Sequence, residues 1–201
     1  MLQEVHLERA LKRGYVGNIY KGKVLRVMPG MQAAFVEVGV DRAAFLHASD
    51  IVRSTPPLLS DNAESVVPPP LPPITELVRD GQELVVQVVK DPIGSKGARL
   101  TTYLSIPSRY LVFLPYSKLI GVSARIEDEN ERTRLKDMLQ ELSANANGGY
   151  ILRTNAEGQP RESLTEDIAY LNKIWAAVTE AIAQAQVGDR VYEDLSLPLR
   201  A

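Results

Sequence analysis

Residues 18–50 read NIYKGKVLRVMPGMQAAFVEVGVDRAAFLHASD. Ile19–Met28 alternates loosely between apolar and polar residues and is rich in β-formers. Pro29-Gly30 is a turn signal, and Met31–Val38 follows as a second strand. Gly39–Arg42 reads as a turn and Ala43–His47 as a third strand. Phe35 and Phe45 fall in these adjacent strands, with His47 close by and Lys21, Lys23, Arg26 and Arg42 around them. Ring faces beside cations suit a single-stranded nucleic acid, whose bases stack while its phosphates track the positive charge. Two buried core phenylalanines are the alternative, and parity narrows it little, since Phe35 and Val36 cannot both face inward.

Working outward, Glu83–Asp91 (ELVVQVVKD) and Ala98–Ser105 (ARLTTYLS) read as strands four and five, with Gly94–Gly97 as the turn between them and Lys96 in that turn. Five short strands with glycine-rich corners predict a partly open five-stranded Greek-key barrel, the OB-fold. Ile51–Val78 separates strands three and four and carries seven of the thirteen prolines. It reads as an insertion, centred on 52–74, with a helical turn near Thr75–Val78; a semi-rigid loop and a proline-rich recognition motif are both compatible with it. On the N-terminal side, Glu4–Glu8 alternates like an edge strand too short to fold alone.

The second half changes period. Arg109–Leu114, Gly121–Ile126 and Tyr150–Thr154 read as strands. Asp128–Glu131 is an acidic helix start, followed by helical spacing through Leu135, Met138, Leu139 and Leu142, with Asn147-Gly148-Gly149 as the stop. Ser163-Leu164-Thr165-Glu166 fits a capping box for a long helix reaching about Gln186, ended by Gly188. In that helix Leu164, Ile168, Leu171, Trp175, Val178, Ile182 and Ala185 repeat at steps of four and three. The stripe reads either as a coiled-coil seam or as a face packed on the preceding strands. The whole is an α+β chain divided at 1–16, 17–106, 107–186 and 187–201.

Composition excludes several classes. The 201 residues are 45% hydrophobic with a net charge of −2, so any phosphate-binding surface is a local patch and not a general basic coat. There is no cysteine, hence no disulfide framework and no thiolate metal site. The two histidines, His6 and His47, stand far apart, and no metal cluster or Walker-type loop is visible. No apolar run is long enough to cross a bilayer, which makes a cytoplasmic protein the expectation. Arg153-Thr154, at a strand end, offers a fork and a hydroxyl suited to a terminal phosphate, although Thr154-Asn155-Ala156-Glu157 also fits a simple cap. Arg125 reads either as a phosphate ligand or as an ion-pair partner.

The motifs NIYKGKVLRVMPGMQAAFVEVG, AAFLHASDI, GQELVVQVVKDPIGSKGARLTT, SRYLVFLP, GVSARIE and ILRT, in this order, resemble the N-terminal half of the ribonuclease E/G family, and its ribonuclease G branch more closely. The resemblance covers nearly the whole chain except the proline-rich insertion. It implies an RNA-binding barrel of the ribosomal-protein-S1 type followed by a small α/β sensor of 5′-monophosphorylated RNA with a long C-terminal helix. By motif, Phe35 and Phe45 are expected to stack on RNA bases and Lys96 to touch the backbone, with Lys21 and Arg42 as neighbouring cations. Arg153 and Thr154 are expected to hold the 5′-phosphate, assisted by the backbone of Val112 and the side chain of Arg125. The opening residues and the tail would belong to a ribonuclease-H-like domain that the chain only samples. The family's magnesium-dependent hydrolysis of RNA would need two aspartates further downstream. The expectation is therefore RNA binding without cleavage in this chain, as part of a homo-oligomeric endoribonuclease of RNA processing and decay. A non-enzymatic S1-type adaptor is the alternative, and a scaffold without nucleic acid is a third.

Overall fold

The computed structural model describes residues 14–52, 71–144 and 146–194. The edge strand read at Glu4–Glu8, most of the proline-rich insertion and the end of the tail lie outside these residues. The first layer is built from β1 (Ile19–Met28), β2 (Ala33–Glu37), β3 (Ala44–His47), the single-turn α1 (Ile74–Leu77), β4 (Glu83–Lys90) and β5 (Arg99–Thr101). The strands run β1-β2-β3-β5-β4, and β4 returns to pair with β1, so the sheet closes into a five-stranded barrel. All pairings in it are antiparallel except β3 with β5. This is the OB-fold architecture. Closure leaves no free edge, and alternate residues fill the interior: Val24, Ala34, Val36, Ala44, Leu46, Val86, Val88 and Leu100 are all buried there. Ile74 of α1 completes this core.

Two details depart from the sequence reading. The second strand starts later than Met31, because Pro29–Met31 forms a 3₁₀ turn. Proline fixes a helical φ and cannot donate, so the chain turns before it extends. Gln32 follows in the left-handed region (φ 47°), its Nε2 donating to Pro29 O at 2.8 Å and its Oε1 accepting from Ile74 N at 3.0 Å. Those two bonds hold the strained residue and tie α1 to the barrel. Within β1, the register shifts between Val24 and Arg26, leaving Leu25 as a half-exposed bulge residue.

The second layer comprises β6 (Ile106–Pro107), β7 (Leu111–Leu114), β8 (Ile120–Val122), α2 (Glu129–Leu142), β9 (Gly149–Leu152) and α3 (Arg161–Gln184), and β10 (Arg190–Tyr192) then joins the barrel's sheet as a sixth strand beside β1. The sheet order is β6-β7-β9-β8, with β8 and β9 parallel. Ile106, Leu111, Phe113, Tyr150 and Leu152 of the sheet pack with Leu135 and Leu139 of α2 and Leu164, Leu171 and Val178 of α3. The third strand of this half is shorter and earlier than Gly121–Ile126, since residues 123–126 turn so that Ile126 N reaches Ser123 O. Gly149 opens β9 and does not stop α2, which ends at Leu142. A side chain there would sit 2.4 Å from Leu119 O, so only glycine lets the strand approach.

The heptad-like stripe of α3 is core. Leu164, Leu171 and Val178 are buried, Trp175 and Ile182 pack against them, and Trp175 meets Phe113 and Tyr116 edge-on at 6.0 and 5.9 Å. The helix also begins earlier than the supposed capping box. Pro160 precedes Arg161, no side chain caps the start, and Ser163 lies inside the first turn. Pro160 is itself the N-cap in extended conformation, so the helix starts without a side-chain acceptor for its first amides.

The barrel and the second layer meet along β1. β10 pairs with its first residues, Ile19 opposite Tyr192 and Tyr20 opposite Arg190. Lys21 donates from Nζ to Ala185 O at 3.0 Å, at the C-terminus of α3, and its ammonium lies 3.3 Å from Glu83. A cation there satisfies an orphan carbonyl and complements the helix dipole. Gly39 and Gly188 touch backbone to backbone at the same joint, both at positive φ, and a side chain on Gly39 would fall 2.3 Å from Gly188 O.

A second clasp holds the loop after β9. The Arg134 fork binds both oxygens of Glu131 at 2.7 Å, Glu131 Oε1 accepts from Gly158 N at 2.8 Å, and Arg134 Nη2 donates to Gln159 O at 3.2 Å. The Arg134 hydrogen bond, then the Gly158 amide, pull the Glu131 carboxyl down to about 2.

Two outcomes follow from this packing. Leu171→Ala should lower unfolding free energy by about 2–5 kcal/mol, read from urea denaturation, with no change in sedimentation behaviour; a change in association state with unaltered stability would instead mark the stripe as an interface. The Glu131 clasp stabilises fully above the unfolded carboxyl's value of about 4.3 and fades as pH falls towards 2. The difference in urea midpoint between wild type and Glu131→Gln should therefore be constant near neutrality and vanish in that acid window.

Candidate nucleic-acid interface

Strand parity turns the barrel's rings outward. Ala34 and Val36 of β2 are fully buried, as are Ala44 and Leu46 of β3, so Phe35, Phe45 and His47 lie on the opposite face. All three are partly exposed, and both phenylalanines stand outside the two cores. Phe35 pairs directly with Phe45 across the strands; their centroids are 6.3 Å apart, edge to face. Phe45 and His47 stack at 6.4 Å.

The register extends this pair to both sides. The Leu25 bulge sets Arg26 opposite Phe35, and the parallel β3–β5 pairing sets Arg99 beside Phe45. Arg26, Phe35, Phe45 and Arg99 thus form one rank across four strands, about 14 Å wide at ordinary strand spacing. Two ring faces flanked by two guanidinium groups offer stacking and phosphate contact along one line. Arg99 is held in place by Asp50, whose Oδ2 accepts from Nε at 3.0 Å and Nη2 at 2.9 Å.

The other cations named from sequence separate into two groups. Lys96 is exposed in the turn bridged by Ile93 and Lys96, and Arg42 donates from Nη1 to Gly94 O of that turn at 3.1 Å. Phe45 N also bonds Ala98 O at 2.7 Å, so Arg42, Lys96 and Phe45 belong to one rim. Lys21 is not with them, being engaged at the end of α3. Arg99 went unnoticed in the sequence because its place beside Phe45 depends on a parallel pairing between segments some fifty residues apart. No local pattern encodes that pairing.

The second candidate cluster sits at one end of the four-stranded sheet. Arg153 directly follows β9, and its N donates to Tyr110 O at 2.8 Å. Its Nη1 donates to Ser108 O, and to Arg109 O at 3.4 Å. Among the described residues nothing bonds the Nε and Nη2 edge of the fork, and that edge is the one suited to bidentate phosphate contact. Thr154 is the first residue of a 3₁₀ turn over Thr154–Ala156, whose N-cap is Arg153 and which has no side-chain cap. Arg125 is exposed in the turn after β8, and Ser123 N of that turn bonds Leu152 O at 2.8 Å, beside Arg153. The structure therefore brings Arg125 and Arg153-Thr154 to the same end of the sheet. Val112 lies inside the ladder, opposite both Pro107 and Ile151, two residues before Arg153 on the neighbouring strand.

Comparison with known proteins finds a match in each half. Residues 15–90 match the S1 RNA binding domain, and residues 105–201 match the Ribonuclease E/G family. The chain is 52% identical over 200 residues to Ribonuclease G of Salmonella typhimurium (strain SL1344) and to Ribonuclease G of Escherichia coli (strain K12), alignments that take in 100% of this chain and 40% of each relative. It is 40% identical over 166 residues to Ribonuclease E of Nostoc sp. (strain PCC 7120), covering 82% of this chain and 22% of that protein. With an S1-type barrel leading into a region matched by that family's own model, and both halves aligned end to end with its members, the chain belongs to the ribonuclease E/G family.

Proposed function

We propose that this chain is the portion of an endoribonuclease that grips single-stranded RNA and reads its 5′ end, in RNA processing and decay in the cytoplasm. The observation that carries the reading is the rank Arg26–Phe35–Phe45–Arg99 on the barrel's outer face. Two outward rings opposite one another are costly in water unless something covers them, and bases stacked on them remove that cost. Arg42 and Lys96 extend the positive rim. The open edge of Arg153, with Thr154 and Arg125 at the same sheet end, supports capture of a 5′-monophosphate.

RNA cleavage belongs, in this proposal, to parts of the family's longer chains. The chain spans 40% of the length of the two Ribonuclease G relatives and 22% of that of the Ribonuclease E relative. Among the described residues there is no group of three or more His, Asp or Glu side chains that could hold a metal ion. Likewise, no helix among the described residues is long and apolar enough to cross a membrane. Homo-oligomeric assembly of the whole enzyme is part of the same proposal.

Binding of a fluorescent single-stranded RNA tests the reading. Phe35→Ala and Phe45→Ala should each cost about 1–3 kcal/mol of affinity, whereas Lys21→Met should lower stability and leave affinity unchanged; RNA incubated with the chain and magnesium should remain intact. Full affinity in the double phenylalanine variant would end the barrel reading. For the 5′ end, a 5′-monophosphorylated oligonucleotide should bind about tenfold more tightly than its 5′-hydroxyl twin at low salt, and Arg153→Ala should erase the difference. Equal affinities in wild type would remove the sensor role.

A further inference from the structure

Asp167 is a carboxylate on the buried face of α3, between Leu164 and Leu171 and beside Ile168. It is only 9% exposed. Among the described residues it forms no ion pair, although burying a carboxylate beside leucines is unfavourable unless its oxygens are well bonded. One oxygen carries the compensation: Oδ2 accepts from Ser108 Oγ at 2.6 Å and from Tyr110 N at 3.0 Å. Both donors lie in the turn that enters β7.

That turn also orients Arg153. The carbonyls of Ser108 and Arg109 accept from Arg153 Nη1, and the carbonyl of Tyr110 accepts from Arg153 N. Asp167 thus fixes the turn from the helix side, and the turn fixes the guanidinium from the other. Without the carboxylate, the single Ser108 hydroxyl proton would turn to its other acceptor, Leu111 O at 3.0 Å, while Tyr110 N loses its partner. The carbonyls that point the fork would then be held less firmly, with Ser108 N to Leu111 O and Arg153 N to Tyr110 O left to fix the turn.

We propose that Asp167 is the positioning residue of the 5′-phosphate site: it acts through the 108–110 turn to hold Arg153 with its Nε and Nη2 edge towards the phosphate. The inference rests on the sensor reading above and deepens it. It adds a determinant of selectivity that touches no RNA.

The ratio of affinities for 5′-monophosphorylated and 5′-hydroxyl forms of one oligonucleotide tests it, because a merely structural residue would weaken both alike. Asp167→Ala should lower that ratio by about fivefold or more, close to Arg153→Ala, with 5′-hydroxyl binding unchanged. Asp167→Asn, which keeps an acceptor oxygen in the same place, should restore most of the preference. A folded Asp167→Ala with the wild-type ratio overturns the inference, and so does an equal loss for both RNAs. If Asp167→Ala does not fold, Ser108→Ala decides: it removes the hydroxyl that Asp167 holds but keeps the carbonyl, and should lower the ratio by about twofold, whereas an unchanged ratio overturns the inference. Preference lost in Arg153→Ala but intact in Asp167→Ala sinks this proposal alone. A wild type without preference sinks the sensor reading and this proposal with it.

Discussion

Closure of the barrel sets what its surface can present. Ala34 and Val36 on β2, and Ala44 and Leu46 on β3, are taken inside by the closed sheet. Successive side chains on a strand point to opposite faces, so the same commitment puts Phe35 and Phe45 outside. A slip of one residue would bury both rings and expose the small core residues, and the loss of packing makes such a slip expensive. The interface is thus a by-product of core packing, and its rigidity comes from the core.

The rank of four side chains needs more than parity. The bulge at Leu25 re-aims β1 so that Arg26, and not Leu25, faces Phe35. The parallel β3–β5 pairing delivers Arg99, and Asp50 fixes its guanidinium from the turn after β3. A bulge and a crossover, each an irregularity in an otherwise plain antiparallel barrel, are what make the surface bifacially positive about its rings.

The second layer is organised by α3. Its apolar stripe closes one core, Asp167 on the same buried face holds the turn before β7, and its C-terminal carbonyl at Ala185 is met by Lys21 of the barrel. One helix therefore links the barrel to the sheet end where Arg153 sits. The Glu131–Arg134 clasp fixes the other side of that end by holding residues 158 and 159. Arg153 and Thr154 lie between two anchored segments, so the guanidinium is presented in one orientation.

The strands, the turns and the placement of the two rings in neighbouring strands were legible from residues 18–50 and the later motifs, because β periodicity, glycine punctuation and aromatic placement are local signals. Helix and strand ends were less legible. Pro29 and Pro160 shifted starts by a few residues, since proline's fixed φ overrides the pattern around it. Lys21 was read with the RNA cations, yet tertiary packing gave it a helix terminus. Arg99 and Asp167 have no local signature, because their meaning lies in partners some fifty to sixty residues away: Phe45 and Asp50 for one, Ser108 and Tyr110 for the other. The amino-acid order thus determined which residues form strands and which could stack or bind phosphate. Only the closed barrel and the packed helix decided which of them share a surface, because contacts between distant segments depend on register and crossover, for which the chain carries no local code.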